Sequence, residues 1–128
     1  MYSNTRIERL ILNNFRNHKY LNLDINKNMV LIYGENGSGK TSVLESISLI
    51  NSSNGFRASN LGEIVNNDLK GPLEMFGVNI LLKESNNLTK VGIGLKKKID
   101  KYQKIMSIDE KKNTKDLIKN IPNIYSII

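Results

Sequence analysis

Cysteine is absent from the sequence, and histidine occurs once, as His18. Without cysteine, neither a disulfide framework nor a cysteine-ligated zinc site can form, and a single histidine cannot make a histidine-rich metal site. No stretch approaches the roughly 20 apolar residues of a membrane helix, and residues 1–14 lack the apolar run of a signal peptide. These absences predict a soluble, cytoplasmic protein with no membrane partner.

Arginine is scarce, whereas lysine is abundant. The chain carries 19 basic against 12 acidic residues, a net charge of +7, and such a balance suits an anionic partner such as nucleic acid. The same excess would also follow from an AT-rich coding sequence, which inflates lysine throughout. Charge alone therefore leaves both a DNA partner and a compositional bias open. The arginines are Arg6, Arg9, Arg16 and Arg57.

The first half of the chain contains both strand and helix patterns. With 128 residues the chain has the usual size of one domain, and such a fold buries roughly two thirds of its unfolded surface. Apolar patterning predicts strands over residues 6–14 and 20–25, and the continuous apolar run 29–33 predicts a fully buried strand. Apolar residues at helical spacing predict a helix over 40–50, and a short helix is expected over 61–65.

The second half predicts an antiparallel meander. Strand patterns occupy residues 78–83, 91–95 and 103–108, and polar turns separate them. A short helix is expected over 113–119, and a proline ends it before a further apolar strand over 123–128. Because a domain rarely stops inside an apolar strand, the sequence predicts a truncated product.

A glycine-rich segment between the predicted buried strand and the helix matches G-x-x-x-x-G-K-[ST] in full. Glycines let the backbone wrap closely around phosphate oxygens, and successive N–H groups then form an anion-binding nest beside a helix N-terminus. The Lys40 ammonium is expected to reach the β and γ phosphates, and the Thr41 hydroxyl is expected to hold Mg²⁺. The alternative is a glycine-rich turn that only joins a strand to a helix. The predicted ATP-binding segment is Gly34, Glu35, Asn36, Gly37, Ser38, Gly39, Lys40 and Thr41.

Hydrolysis requires groups beyond a phosphate-binding loop. A carboxylate must help to hold Mg²⁺, and another group must orient the attacking water. Asp109 and Glu110 follow an interrupted apolar run, and we interpret them as the solvated end of a meander strand. His18 is interpreted as an ordinary turn residue and Glu35 as a solvated loop residue. The lysines at 96–98, together with Lys101 and Lys104, could bind a DNA backbone, but we interpret them as a solvated hairpin tip. No residue of this chain is predicted to be catalytic.

Three segments in a fixed order resemble the N-terminus of one protein family. They are Asn14-Phe15-Arg16-Asn17-His18, the phosphate-binding segment, and Gly55-Phe56-Arg57 after the predicted helix. The first is typical of SMC-like ATPases. The last favours the RecF family of bacterial DNA replication and repair proteins, which belongs to the SMC-like branch of ABC-type ATPases. The resemblance covers about the first 65 residues by motif order and spacing, and beyond them only the layout agrees.

The resemblance to RecF implies roles for three further residues. Arg16 and Asn17 match positions beside the bound nucleotide phosphates, and Arg57 matches an arginine that faces DNA or a partner subunit. An arginine fork can hold phosphate with two hydrogen bonds, although an ordinary surface arginine would explain Arg57 equally well. Residues 52–54 replace a second arginine that RecF proteins usually carry, so its contact is in doubt. The ABC signature segment, the Walker B strand and the switch histidine also have no match here.

The family also implies a fold and a domain organisation. The fold would be α/β, a P-loop NTPase of ABC/SMC-like type with a mixed sheet, a P-loop helix and an antiparallel β subdomain. Residues 1–66 would form the P-loop core, 67–112 the subdomain, and 113–128 a return to the core. The chain would then be the N-terminal lobe of a roughly threefold longer protein.

The activity implied for the full-length family is ATP hydrolysis with Mg²⁺ in DNA replication and recombinational repair, including the SOS response. Its partners would be single-stranded or gapped DNA, a second copy in an ATP-dependent homodimer, and recombination mediator proteins. We expect this chain alone to bind ATP weakly and to hydrolyse essentially none, because the metal-binding carboxylate and the signature segment are missing. Another SMC-like or ABC-type ATPase and a non-catalytic nucleotide- or DNA-binding module are the alternatives.

Overall fold

A computed structural model describes residues 5–50, 61–65, 76–98, 101–109 and 111–112 of the chain. This part consists of a six-stranded sheet with an α-helix packed against its core. None of the helices within it has the length and apolar character that a bilayer-spanning helix requires. The elements in chain order are β1 (Thr5–Phe15), β2 (His18–Asp24), α1 (Lys40–Ser48), a 3₁₀ helix (Leu61–Ile64), β3 (Gly77–Glu84), β4 (Asn87–Lys98), β5 (Lys101–Ile108) and β6 (Lys111–Lys112).

The sheet has the strand order β2-β1-β3-β4-β5-β6, and every neighbouring pair is antiparallel. The predicted strands at 6–14 and 20–25 and the predicted meander are confirmed. Because β1 pairs with β2 on one side and with β3 on the other, the N-terminal hairpin and the meander form one continuous sheet. The division of the chain at residue 66 into a core and a subdomain stays a prediction.

Alternating side chains of the central strands build the core. Over residues 10–12, 78–82 and 91–95 every second side chain is buried, which is the pattern of a sheet with one covered face. Phe15 and Phe76 meet edge to face, with ring centroids 5.4 Å apart and ring planes at 81°. Burying an apolar side chain of this size contributes about 1.5–3 kcal/mol. The core residues of these strands are Leu10, Leu12, Val78, Ile80, Leu82, Val91, Ile93 and Leu95, and the helix and its C-terminal end add Val43, Leu49 and Ile50.

Helix α1 buries a face that is partly polar. The predicted helix is confirmed, but it ends at Ser48, earlier than the apolar pattern predicts. Its buried residues are Ser42, Val43, Glu45 and Ser46. The Ser46 hydroxyl donates to the Val43 carbonyl at 2.6 Å, so the helix itself satisfies this buried group. The buried Glu45 carboxylate requires a partner from elsewhere in the fold.

The apolar run at residues 29–33 does not form the predicted buried strand. It is not assigned as a strand, and Met29, Leu31 and Tyr33 are 89%, 81% and 84% exposed, although Ile32 packs against the core. An apolar run is buried as a strand only where neighbouring elements cover it, and no described strand pairs with this run. The described strands all pair antiparallel, so the sheet that they form is not the predicted mixed sheet.

The predicted short helix after α1 is confirmed as the 3₁₀ helix. The segment 52–57, which includes Arg57, lies outside the described residues. The helix predicted over 113–119 and the strand predicted over 123–128 lie outside them as well.

Candidate phosphate-binding site

The predicted phosphate-binding segment forms an exposed loop that leads into α1. Gly37 and Gly39 have φ angles of 83° and 98°, in the left-handed region that residues with a side chain rarely adopt. A Cβ at Gly39 would collide with the imidazole of His18 and would lie 2.9 Å from Asn17 Nδ2, whereas a Cβ at Gly37 would meet nothing within 4 Å. Glycine is therefore required at position 39 for two reasons: its backbone is left-handed, and the side chains packed over it leave no space for a Cβ.

Helix α1 begins directly at the end of the loop. Gly39 occupies its N-cap position with no side-chain cap bond, and its first turn has no acidic residue. The N–H groups of a first helical turn have no partner within the helix, and the helix dipole adds positive potential at the same place. Lys40 and the exposed Thr41 lie in this first turn, so this end of α1 is suited to an anion.

The Lys40 side chain folds back onto the loop. Its Nζ donates hydrogen bonds to the backbone carbonyls of Gly34 and Glu35, the second at 3.3 Å. The ammonium is thereby held at the loop and outside the core. Phosphate oxygens that enter the loop would meet it there. The Glu35 side chain is exposed, as its interpretation as a solvated loop residue predicts.

The turn between β1 and β2 packs against the loop. Asn17 Nδ2 donates to the Gly37 carbonyl at 3.3 Å, and Ser42 Oγ donates to Asn17 Oδ1 at 3.4 Å. His18 Nε2 lies 3.1 Å from the Gly39 carbonyl oxygen and donates to it in the tautomer that carries the proton on Nε2. The interpretation of His18 as an ordinary turn residue is therefore corrected, because its ring contacts the phosphate loop.

Arg16 connects the same turn to α1. Its Nε donates to Glu45 Oε1 at 2.7 Å and its Nη2 to Oε2 at 3.0 Å, so two hydrogen bonds join it to a fully buried carboxylate. The Arg16 backbone N–H donates to the Ile64 carbonyl at 2.6 Å. Sequence analysis does not single out Glu45, because glutamate is an ordinary helix residue and only the fold reveals its partner.

Two meander residues considered for other roles have local partners. The Asp109 carboxylate accepts a hydrogen bond from the Lys90 backbone N–H at 2.9 Å, which confirms Asp109 as the exposed end of a meander strand. Lys104 Nζ donates to the Leu49 carbonyl at 2.8 Å, and burial lowers the pKa of its ammonium. In the described part of the chain, no three His, Cys, Asp or Glu side chains cluster to hold a metal.

Comparison with protein families gives one extended match. A family model described as the RecF/RecN/SMC N terminal domain matches residues 6–126. The DNA replication and repair protein RecF of Acetivibrio thermocellus is 37% identical over 102 residues, covering 77% of this chain and 27% of the relative. RecF of Francisella tularensis subsp. novicida is 33% identical over 117 residues, covering 91% of this chain and 32% of the relative. The chain thus spans about a third or less of the length of these curated relatives.

Two solved structures share the fold. One, described as the recombination mediator protein RecF-ATP in the RecFOR pathway, aligns with a TM-score of 0.72 and 28% identity over 89% of this chain and 30% of that chain. The other, described as RecF-ATPrS in the same pathway, aligns with a TM-score of 0.70 and 28% identity over 86% of this chain and 28% of that chain. The similarity therefore covers most of the chain and is not confined to the loop.

Proposed function

The chain belongs to the RecF/RecN/SMC N-terminal domain family, and we propose that it is the nucleotide-binding N-terminal part of a RecF-type DNA replication and repair protein. The observation that carries this proposal is the loop at the start of α1, with its two left-handed glycines and with Lys40 bonded across it. The descriptions of the similar structures as RecF-ATP and RecF-ATPrS support ATP as the nucleotide.

In this proposal the triphosphate of ATP lies within segment 34–41, where backbone N–H groups and the helix N-terminus bind its oxygens. Lys40 binds the β and γ phosphates. The Thr41 hydroxyl ligates Mg²⁺, which prefers oxygen ligands and keeps most of its other positions for phosphate and water. Arg16 and Asn17 lie beside the phosphates, Arg16 with its guanidinium bonded to Glu45. Arg57 faces DNA or a partner subunit.

The complete protein is proposed to act in the cytoplasm on single-stranded or gapped DNA, as an ATP-dependent homodimer with recombination mediator proteins. Bound nucleotide would join the two subunits, and hydrolysis would release them. The RecFOR pathway of the structural relatives supports the mediator partners, and the net charge of +7 suits a DNA backbone. For this chain alone we expect weak ATP binding without turnover.

Calorimetric titration of the 128-residue protein with Mg-ATP tests the site, with Lys40→Ala as the decisive variant. Loss of the ammonium is expected to abolish measurable binding and to leave the circular dichroism spectrum unchanged, because the side chain lies at the loop and outside the core. Lys90→Ala, which removes an exposed lysine from β4, is the matched control and should bind as wild type does.

Equal ATP affinity of wild type and Lys40→Ala would contradict the assigned site. The expectation of no turnover is checked separately with a phosphate-release assay on the same proteins. Hydrolysis by the wild-type chain that disappears in Lys40→Ala would show that the chain already contains the groups needed for catalysis.

A further inference from the structure

Two carbonyl oxygens of the phosphate loop have partners in the β1–β2 turn. The Asn17 side chain donates a hydrogen bond to the carbonyl of Gly37, and the His18 ring lies within hydrogen-bond distance of the carbonyl of Gly39. In an anion-binding nest the N–H groups face the anion, so the carbonyl groups must face elsewhere and need other partners. The turn supplies such partners from the protein itself, and it thereby shapes the loop.

The turn that carries these two donors has an unfavourable backbone. Asn14 and Arg16 have φ angles of 54° and 53°, which are uncommon for residues other than glycine. Such conformations persist only where the surrounding structure determines them, and they concentrate at functional sites. Here the Arg16 N–H is bonded to Ile64, and the adjacent Val65 forms a bridge with Phe15. The fold therefore holds the turn in one conformation.

The Arg16–Glu45 ion pair ties this turn to α1 through a fully buried carboxylate. A fully buried carboxylate without a partner would be strongly destabilising. Arg16 satisfies both Glu45 oxygens with two parallel hydrogen bonds, a planar geometry that lysine cannot provide. Because Glu45 lies in the second turn of the helix that starts at the loop, the pair fixes the turn and the loop relative to each other.

We propose that Arg16 and Glu45 are positioning residues for the phosphate loop, which act on bound nucleotide through Asn17 and His18. The ion pair holds the turn against α1, and the turn then keeps two loop carbonyls directed away from the phosphates. The effect on nucleotide affinity rests on the proposed function, whereas the effect on the loop does not require nucleotide. A loop displaced by a weakened pair should bind ATP and ADP less well by the same factor, because it misplaces the donors for every phosphate.

The variants Glu45→Gln and Arg16→Lys test the proposal. The first removes the buried negative charge, and the second keeps the positive charge but loses the two-nitrogen fork. Asp24→Asn is the matched control, since Asp24 pairs with Arg9 at 2.8 Å by the same chemistry but on an exposed part of the sheet. NMR amide shifts of the two turn-bonded glycines are measured in nucleotide-free protein, and ATP and ADP affinities are measured by calorimetry.

Both site variants are expected to shift the two glycine amides and to lower ATP and ADP affinity together, by roughly tenfold, as for other residues that orient a binding group. Asp24→Asn should match wild type in both measurements. Should Glu45→Gln not fold, the milder Arg16→Lys decides the question. Unchanged glycine amides overturn the positioning role, and so does a loss confined to ATP in Arg16→Lys, which would make Arg16 a direct γ-phosphate ligand. A wild-type chain that binds no nucleotide would reject the proposed function and would leave the amide test intact.

Discussion

In the β3–β4 hairpin the buried side chains are apolar and alternate along each strand, whereas the phosphate-loop region places charged and hydroxyl groups inside the fold. The loop region comprises the β1–β2 turn, residues 34–39 and α1. The buried polar residues of the described chain all lie in its helix, as Ser42, Glu45 and Ser46. The hairpin is specified by a short-range period of apolar residues, but the loop region depends on pairs of residues that are distant in sequence.

This difference has a physical consequence for tolerance to substitution. An apolar core accepts side chains of similar volume, because dispersion and burial are not directional. Hydrogen-bonded groups in a buried network must keep both partner and geometry, since an unsatisfied buried group is destabilising. The loop region is therefore expected to hold a defined shape for ligand binding, and the hairpin to supply most of the stability.

The largest difference in unfolding free energy is expected between a substitution of an apolar residue in the hairpin and one in the apolar run at residues 29–33. Ile80→Ala removes a side chain that is 2% exposed, and its free energy of unfolding should fall by about 2–5 kcal/mol. Leu31→Ala changes a side chain that is 81% exposed, and its effect should stay within about 0.5 kcal/mol. Urea unfolding followed by circular dichroism measures both.

A loss of unfolding free energy for Leu31→Ala as large as that for Ile80→Ala would contradict the exposure of Leu31. It would mean that the run is covered in solution by something that the described residues do not include. The control is Val30→Ala, which changes a neighbour in the same run that is 48% exposed.

A smaller contrast is expected between one glycine of each region. Gly39→Ala places a side chain at a φ of 98° and against the His18 ring, so the free energy of unfolding should fall by about 1–3 kcal/mol and ATP binding should be lost. In Gly92→Ala the new Cβ lies 2.7 Å from Ser107 Oγ, which can rotate away, and Gly92 is not in the left-handed region. Its unfolding free energy should change by less than about 1 kcal/mol.

Thermal unfolding and calorimetric titration on the same preparations separate these effects. If Gly39→Ala bound ATP as well as Gly92→Ala, the loop would not need its left-handed conformation for binding. In that case the close packing of the turn over position 39 would have no functional role.

The sequence predicts the hairpin and the loop motif because both are specified by residues close together in the chain. Strand alternation predicts β3 to β5, and the spacing of glycine, lysine and threonine over segment 34–41 locates the loop. The resemblance to RecF is confirmed by the family model and by the similar structures. These predictions need no knowledge of which distant residues meet.

The interactions around the loop depend on contacts between residues that are distant in sequence, and they could not be predicted in the same way. Glu45 and His18 obtain their roles from partners 29 and 21 positions away, and no short pattern reports either contact. The error at residues 29–33 has a related cause. An apolar run predicts that a segment can be buried, but it does not identify the neighbour that would bury it.

The smallest predicted effect concerns Lys104, which connects the strand beside the hairpin to the loop region because it extends from β5 to the Leu49 carbonyl at the C-terminal end of α1. Burial lowers the pKa of Lys104 below its ordinary value. Between that lowered pKa and about 10.4, the ordinary value for lysine, the unfolded chain binds more protons than the folded one, so stability rises with pH. In Lys104→Met this contribution is absent. The unfolding free energy of wild type should therefore increase relative to that of Lys104→Met as pH rises through this window.

The gain should be less than about 1 kcal/mol, because the side chain is only partly buried and solvent screens its charge. Urea unfolding of both proteins from neutral pH to about pH 10.5 measures the difference, in which the titration of all other lysines cancels. Lys90→Met removes one exposed charge from the adjacent strand and controls for the change in net charge. If wild type instead lost stability relative to Lys104→Met with rising pH, the charged ammonium would be favoured in the folded state. Lys104 would then act mainly as a cation at the C-terminal end of the helix dipole, with a desolvation cost too small to offset that attraction.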